Sequence, residues 1–377
     1  MSEYQYIAFR AIDAPVSGKN LEFMREQSSR AEVTAWSFDN EYHFGDFRGN
    51  ASEMLRRGYD FHLHYADFGI RKLMIRLPTG LPNAKAAEAY FIEDGVEFDE
   101  DKQGPGGILS IEPFHEPGDF DDPGELDGLI DRLLPLRGEI LDGDLRPLYL
   151  AYLAVASDGN HDPEEEKDAP VPAGLDKLTK PQRALAEFYG LSKAVISAAA
   201  KHGPPLAKHA DSEKPYSTWL QNQPESIKNA WLTQLMTDPH SAVRSEILAD
   251  FQKTHSAPAW PTKVVDRTIA DILGAAEGIQ RSNDRKEAAE VARRRAAKLA
   301  GMAADPAKTL RETEELVTQR NITDYAKIAK LLADLREALS GTGQSGLAEH
   351  QARKLKENNP TLHHLTAELR RQGFLKK

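Results

Sequence analysis

Trp36 to Leu77 reads WSFDNEYHFGDFRGNASEMLRRGYDFHLHYADFGIRKLMIRL, and its patterning decides the fold. Tyr59, Phe61, Leu63 and Tyr65 alternate with Asp60, His62 and His64. That period of two predicts a strand with one apolar and one polar face. Asp67-Phe68-Gly69 reads as a turn with Gly at a left-handed position. Arg71 to Leu77 then returns as a second strand, with Leu73, Ile75 and Leu77 on one face. Upstream, Gly49-Asn50 opens a short helix carrying Met54 and Leu55, and Gly58 closes it. Asp39-Asn40 reads as a hairpin turn between an alternating stretch over 31–38 and a return strand over 42–47.

Working outward, residues 4–12 (YQYIAFRAI) predict a strand, and Ser17 can cap a helix over roughly 18–29. The order strand, helix, strand, strand, helix, strand is that of a ferredoxin-like βαββαβ sheet, here with extra strands. Such alternation predicts an α+β domain with helices on one face of the sheet. Further on come a helix at 82–91, short strands at Val96–Phe98 and Ile108–Ile111, and a helix opened by Pro123. Leu145 to Ala156 (LRPLYLAYLAVA) is apolar enough to demand burial under the sheet.

From there the chain changes character. Residues 157–173 are polar, acidic and proline-bearing, which predicts a linker. Everything beyond reads as helix, arranged as antiparallel hairpins or a bundle. The expected division is an acidic α+β domain over 1–156, a linker over 157–173, a helical domain over 174–256 and a helical C-terminal domain over 257–377. Trp219, Leu220, Trp231, Leu232 and Leu235 are the expected core of the first helical domain. The second opens with a long helix over 262–301, amphipathic at Val265, Ile269, Ile272, Ala276 and Ile279, then rich in Ala and charge.

The composition closes off several chemistries. The 377 residues contain no cysteine, so disulfides, thiolate catalysis and Cys-ligated metals are excluded. No run approaches the ~20 apolar residues of a membrane span. No basic region followed by an apolar one opens the chain, so a cytoplasmic protein is expected. The net charge of −11 is uneven: residues 1–160 carry −15 and the rest +4. An acidic front half makes a poor general nucleic-acid surface.

Four constellations carry chemical possibilities. His62 and His64 sit at i, i+2 on a strand, a spacing able to chelate a metal, with His43, Asp60 or His115 as a third ligand. The alternative is an ordinary polar strand face. Glu112, His115 and Glu116 form a carboxylate–imidazole cluster suited to acid/base work. Residues 186–197 (AEFYGLSKAVIS) match a helix-turn-helix, but the second helix presents Lys193, Ser197, Ala198, Ala199, Ala200 and Lys201, almost nothing that reads a base edge. Arg293, Arg294, Arg295 and Lys298 form a basic knot, explained either by pairing with Glu287 and Glu290 or by a partner. The fingerprints of phosphate-binding loops, serine hydrolases, kinases and zinc hydrolases are missing, and no cofactor is expected.

NEYHFGDFRGN, YADFGIRKLMIRLP, LRPLYLAYLAVA, RTIADILGAAE and ITDYAKIAKLLADLRE, in that order, resemble an uncharacterised bacterial protein family. Its genes often lie beside one encoding a SWIM zinc-finger protein. The resemblance implies a cytoplasmic protein with a protein partner, and no established activity, cofactor or catalytic residue. The expected function is a non-enzymatic interaction or scaffold protein in a multi-protein assembly. Two alternatives stand beside it. One is a nucleic-acid accessory factor using 186–197, Lys193, Lys201 and the 293–298 knot. The other is a metal-dependent hydrolase centred on His62 and His64.

Overall fold

The computed structural model describes residues 4–102, 106–115, 126, 128–206, 213–237, 243–254 and 259–376. The chain falls into two compact units, Met1–Ile279 and Gln280–Lys377, rather than dividing at a linker after residue 156.

The first unit is built on one seven-stranded sheet. Its strands are β1 (Gln5–Arg10), β2 (Glu32–Val33), β3 (Ser37–Tyr42), β4 (Phe61–Ala66), β5 (Ile70–Leu77), β6 (Val96–Glu100) and β7 (Gly107–Ile111). They lie in the order β2-β3-β1-β4-β5-β7-β6 with every neighbouring pair antiparallel. Helix α1 (Gly18–Glu26) joins β1 to β2, and α2 (Ala51–Arg56) joins β3 to β4. The run β1-α1-β2-β3-α2-β4 with sheet order 2-3-1-4 is the ferredoxin-like arrangement expected from the sequence. The other three strands widen it.

The hairpin register differs from expectation. Asp39 and Asn40 lie inside β3, and the turn falls at 34–36. Thr34 makes that turn: its hydroxyl accepts from the backbone N–H groups of Trp36 (3.1 Å) and Ser37 (2.8 Å). Asp39 accepts from Arg10 at 2.8 Å, and the Asn40 amide donates to Ser28. Two turn-forming residue types therefore do strand work because tertiary partners satisfy them.

Both faces of the sheet are covered, not one. Ile7, Phe9, Phe38 and Met74 pack against Met24 of α1 and Met54 and Leu55 of α2. Ala8, Phe61, Leu63, Leu73, Ile75, Leu109 and Ile111 face the other way, in the core of a helical layer. That layer contains α3 (Ala84–Ala87), α4 (Leu129–Leu133), α5 (Pro135–Leu141) and α6 (Arg146–Ala156). All eleven residues of α6 are buried, as its composition requires. A Cβ on Gly95 would lie 2.4 Å from Val155, so only glycine lets the turn before β6 approach α6 this closely.

The expected linker divides: 157–167 has no buried residue, while 168–173 is folded into the core. Asp168, Ala169, Val171 and Ala173 are buried. Strand β8 (Val171–Pro172) pairs with β9 (Thr262–Lys263), more than eighty residues later. Between them run α7 (Lys180–Phe188), α8 (Lys193–Ala200), α9 (Glu213–Gln221), α10 (Glu225–Thr237) and α11 (Val243–Thr254). Trp219, Trp231, Val243 and Phe251 form a small satellite core. Leu220, Leu232 and Leu235, expected inside, are exposed because that core reaches only one side of each helix.

Helix α12 (Ile269–Ala304) carries the chain into the second unit. There α13 (Pro306–Thr318), α14 (Ile322–Ala338), α15 (Leu347–Asn358) and α16 (His363–Arg371) enclose a core of Ile328, Leu332, Leu335, Ala348, Ala352, Leu355, Leu365 and Leu369. α14 is central, packing against the other three. An α+β region followed by an all-helical one is thus the architecture.

Arg137 on α5 is 2% exposed and ties the sheet to its helical layer. It donates to Asp13 at 3.0 Å and 2.5 Å, to Asp60 at 3.2 Å, and to the Arg76 carbonyl at 2.7 Å. Asp60 also accepts the backbone N–H groups of Ile12 (2.6 Å) and Asp13 (3.1 Å). Burial pushes its carboxyl pKa up, and Arg137 opposes that rise. Arg137→Ala would leave two carboxylates without their cation, and such truncations cost about 3–5 kcal/mol. Urea denaturation followed by circular dichroism should show the midpoint fall accordingly.

Candidate functional site

The histidine pair on β4 is locked into packing. His62 is 1% exposed, because the face that reads as polar lies under α1 and α2. Its ring stacks on Phe9 with centroids 4.0 Å apart, and Nδ1 bonds the Ala8 carbonyl across the strand pair at 3.1 Å. Burial holds its pKa well below the ordinary histidine value, so the ring is neutral and Nδ1 is the donor. His64 bonds the Gln5 side-chain oxygen at 3.1 Å. Burial, then the nearby Lys72 cation, lowers its pKa to about 4. His43 is exposed, with its ring 5.5 Å from that of Tyr4. Asp60 serves Arg137, as described. Among the described residues no group of three His, Asp or Glu side chains is placed to hold a metal ion.

The second cluster is likewise engaged. Glu112 accepts from Lys72 at 2.6 Å. His115 contacts the Pro113 carbonyl at 3.0 Å and the Tyr189 carbonyl at 3.4 Å, and its ring stacks beside Tyr189. Tyr189 belongs to the α6 side of the sheet and His62 to the α1/α2 side, so His62 and His115 lie on opposite faces and share no site. Glu116 lies outside the described residues.

The helix-turn-helix match describes a real turn. α7 ends at Phe188, Gly190 takes φ +71°, Leu191 is buried, and the Ser192 hydroxyl accepts the Val195 N–H at 3.2 Å. Ala194, Ala198 and Ala199 bury one side of α8, while Lys193 and Ser197 are exposed. Ser197 donates to the Lys193 carbonyl at 2.7 Å.

Beside this exposed side runs a groove of about 640 Å3. Pro172, Leu175, Ile196, Ala200 and Pro204 supply apolar lining, and Lys177, Arg183, Lys193 and Lys201 supply cations against one acid, Asp176. Arg183 donates to the Leu178 carbonyl at 2.6 Å. Lys177, Lys193 and Lys201 make no ion pair among the described residues. Four cations around an apolar floor stand out in a chain of net charge −11.

Two arginines, Arg146 buried and Arg267 half-buried, hold the groove's walls. Arg146 pairs with Asp144 at 2.7 Å and donates to the carbonyls of Gly174 (3.4 Å) and Lys177 (3.0 Å), fixing the 174–178 turn. Trp260 lies over Arg146 and donates to the Ala173 carbonyl at 3.2 Å. Arg267 donates to the carbonyls of Ala198 (3.1 Å) and Ala199 (2.6 Å), fixing the C-terminal end of α8. Sequence reading found Lys193 and Lys201 but missed Lys177 and Arg183. The cation-rich run DKLTKPQR was the available signal.

The basic knot of α12 divides. Arg294 pairs with Glu290 one turn away at 2.5 Å. Arg295 reaches Glu337 at 2.5 Å and Asp334 at 3.6 Å, and Lys298 reaches Asp334 at 2.7 Å, so both join α12 to α14 within the second unit. Asp334 is 5% exposed, which makes this pairing structural. Arg293 is exposed.

No protein-family model, curated protein or solved structure matches this chain. No helix among the described residues is long and apolar enough to cross a membrane.

The His64 environment carries a sign that can be checked. Folded, the ring stays neutral down to about pH 4; unfolded, it titrates near 6.5. Unfolding therefore takes up a proton between these values, and the stability that His64 contributes is present above 6.5 and lost as pH falls towards 4. The drop in urea midpoint between pH 7 and 4.5 should be smaller in His64→Gln than in the parent protein.

Proposed function

We propose that this is a non-enzymatic interaction protein of the cytoplasm, working in a multi-protein assembly by holding an acidic protein partner in the α7–α8 groove. The observation that carries the reading is the groove's set of cations: Lys177, Lys193 and Lys201 have no ionic partner among the described residues and surround an apolar floor. Cations left unpaired beside apolar surface are a favourable seat for a complementary acidic surface, because charge steers the encounter and the apolar lining adds desolvation. The arginine-fixed walls support it further, since a pre-organised groove loses less entropy on binding. His62, His64, Glu112 and His115 are each occupied in packing or pairing, which favours this reading over the hydrolase. The family resemblance suggests a SWIM zinc-finger protein as the first partner to test.

A second reading, nucleic-acid binding, draws on the same two lysines flanking a helix-turn-helix-like turn. It is weaker because Ser197, the hydrogen-bonding side chain exposed between them, already donates to its own helix. A photo-crosslinking residue at position 197, expressed in the native host, separates the readings. The expected result is a protein adduct that disappears in a Lys193→Glu/Lys201→Glu variant. Adducts to nucleic acid, confirmed by duplex binding at ~50 mM salt that weakens steeply as salt rises, would overturn the first reading.

A further inference from the structure

We infer that the occupant of the α7–α8 groove is an extended acidic segment of the partner, with two carboxylate side chains four residues apart flanking an apolar one: E-x-L-x-E or its aspartate equivalents. This rests on the groove being a protein-binding surface and adds the form of what it binds.

The spacing comes from α8. Lys193 opens the helix and Lys201 caps it in helical conformation, with both lining the groove. Eight residues of helix separate them by about 12 Å. Ile196, Ser197 and Ala200 line the same groove along the helix that runs from one lysine to the other. The α8 side of the groove thus begins and ends on a cation and includes the apolar Ile196 and Ala200. An extended chain rises about 3.3 Å per residue, so positions i and i+4 lie about 13 Å apart. Residues i, i+2 and i+4 of such a chain project to the same side. A segment E-x-L-x-E thus presents carboxylate, apolar side chain and carboxylate on one face, with its two acids at the spacing of Lys193 and Lys201. Any odd separation of the two acids would turn one of them away. Lys177 and Arg183, from the 172–183 stretch of the lining, supply positive potential around the same segment. Pro172, Pro204 and Pro205 bring no backbone donors to the lining, so binding would rest on side-chain charge and apolar contact rather than on strand pairing.

The full chain can be titrated into two fluorescein-labelled peptides of equal composition, E-T-L-T-E and E-E-L-T-T, each flanked by Gly-Ser, with fluorescence anisotropy as the readout. Tighter binding of the first by about fivefold or more is expected, since the second cannot reach both lysines at once. Lys193→Glu should abolish that preference and weaken binding about tenfold. The substitution places an acid in the first turn of α8, where the helix dipole favours it, so unfolding would not explain the loss. Unchanged thermal melting checks this. Equal binding of the two peptides, or binding indifferent to Lys193→Glu, overturns the inference. If crosslinking at position 197 still captures a protein, the interaction reading survives that failure and only the extended acidic occupant falls.

Discussion

The ion pair between buried Asp168 and half-buried Arg267 is the contact on which the first unit's second half depends. Arg267 Nε donates to Asp168 at 2.9 Å, and Tyr149 donates to the same carboxylate at 2.9 Å. Burial pushes the Asp168 pKa up, while Tyr149 and Arg267 pull it back. One guanidinium thereby joins four places far apart in sequence: the wholly buried helix α6, the stretch before β8, the end of α8 and the approach to α12. A cation here is useful because it satisfies several acceptors at once. At the end of α8 the Ala198 carbonyl accepts the Lys201 N–H at 3.3 Å, and the arginine adds a donor to it and to the Ala199 carbonyl beside it. Removing it would expose the cost of all these groups together rather than of one ion pair.

The same device recurs. Arg137 gathers Asp13, Asp60 and the Arg76 carbonyl, and Arg71 donates to the Phe188 carbonyl at 2.9 Å, at the end of α7. Arg146 holds the 174–178 turn. Arginine suits these positions because its planar fork offers five donors in fixed directions. Together these residues set α7, α8 and the turn before them at fixed positions against the sheet layer. The groove between them is a consequence of that bracing, with arginines engaged in its walls and exposed lysines on its rim.

Much of this was legible in the chain. The alternation of Phe61 to Tyr65, the Thr179–Gln182 capping box and the apolar run of α6 each name their own structure, because local periodicity and capping chemistry depend on neighbours a few residues away; Tyr59, expected on the same face, lies before β4 and packs in the other core. The capping box is formed, with Thr179 and Gln182 bonded reciprocally. Asp39-Asn40 misled for the opposite reason: the turn preference of those residues is weak beside Arg10 and Ser28, which lie on other elements. His62 misled similarly. Alternation with aromatics signals two faces, but it does not say whether the second face meets water or another helix.

What the sequence determined by itself was the order of elements, the βαββαβ core, the switch to helix and the absence of any cysteine chemistry. These follow from short-range rules of pattern and composition. Tertiary structure alone decided that 168–173, the end of the expected linker, is core, that both sheet faces are covered, and that Lys177 and Arg183 join Lys193 and Lys201 around one groove. Each of those outcomes depends on residues brought together from distant positions: Asp168 with Arg267, His62 with Phe9, Pro172 with Thr262. Charge pairing and burial act through space. A polar stretch becomes interior when a distant arginine satisfies it, and a surface lysine becomes part of a site only when a second stretch folds beside it.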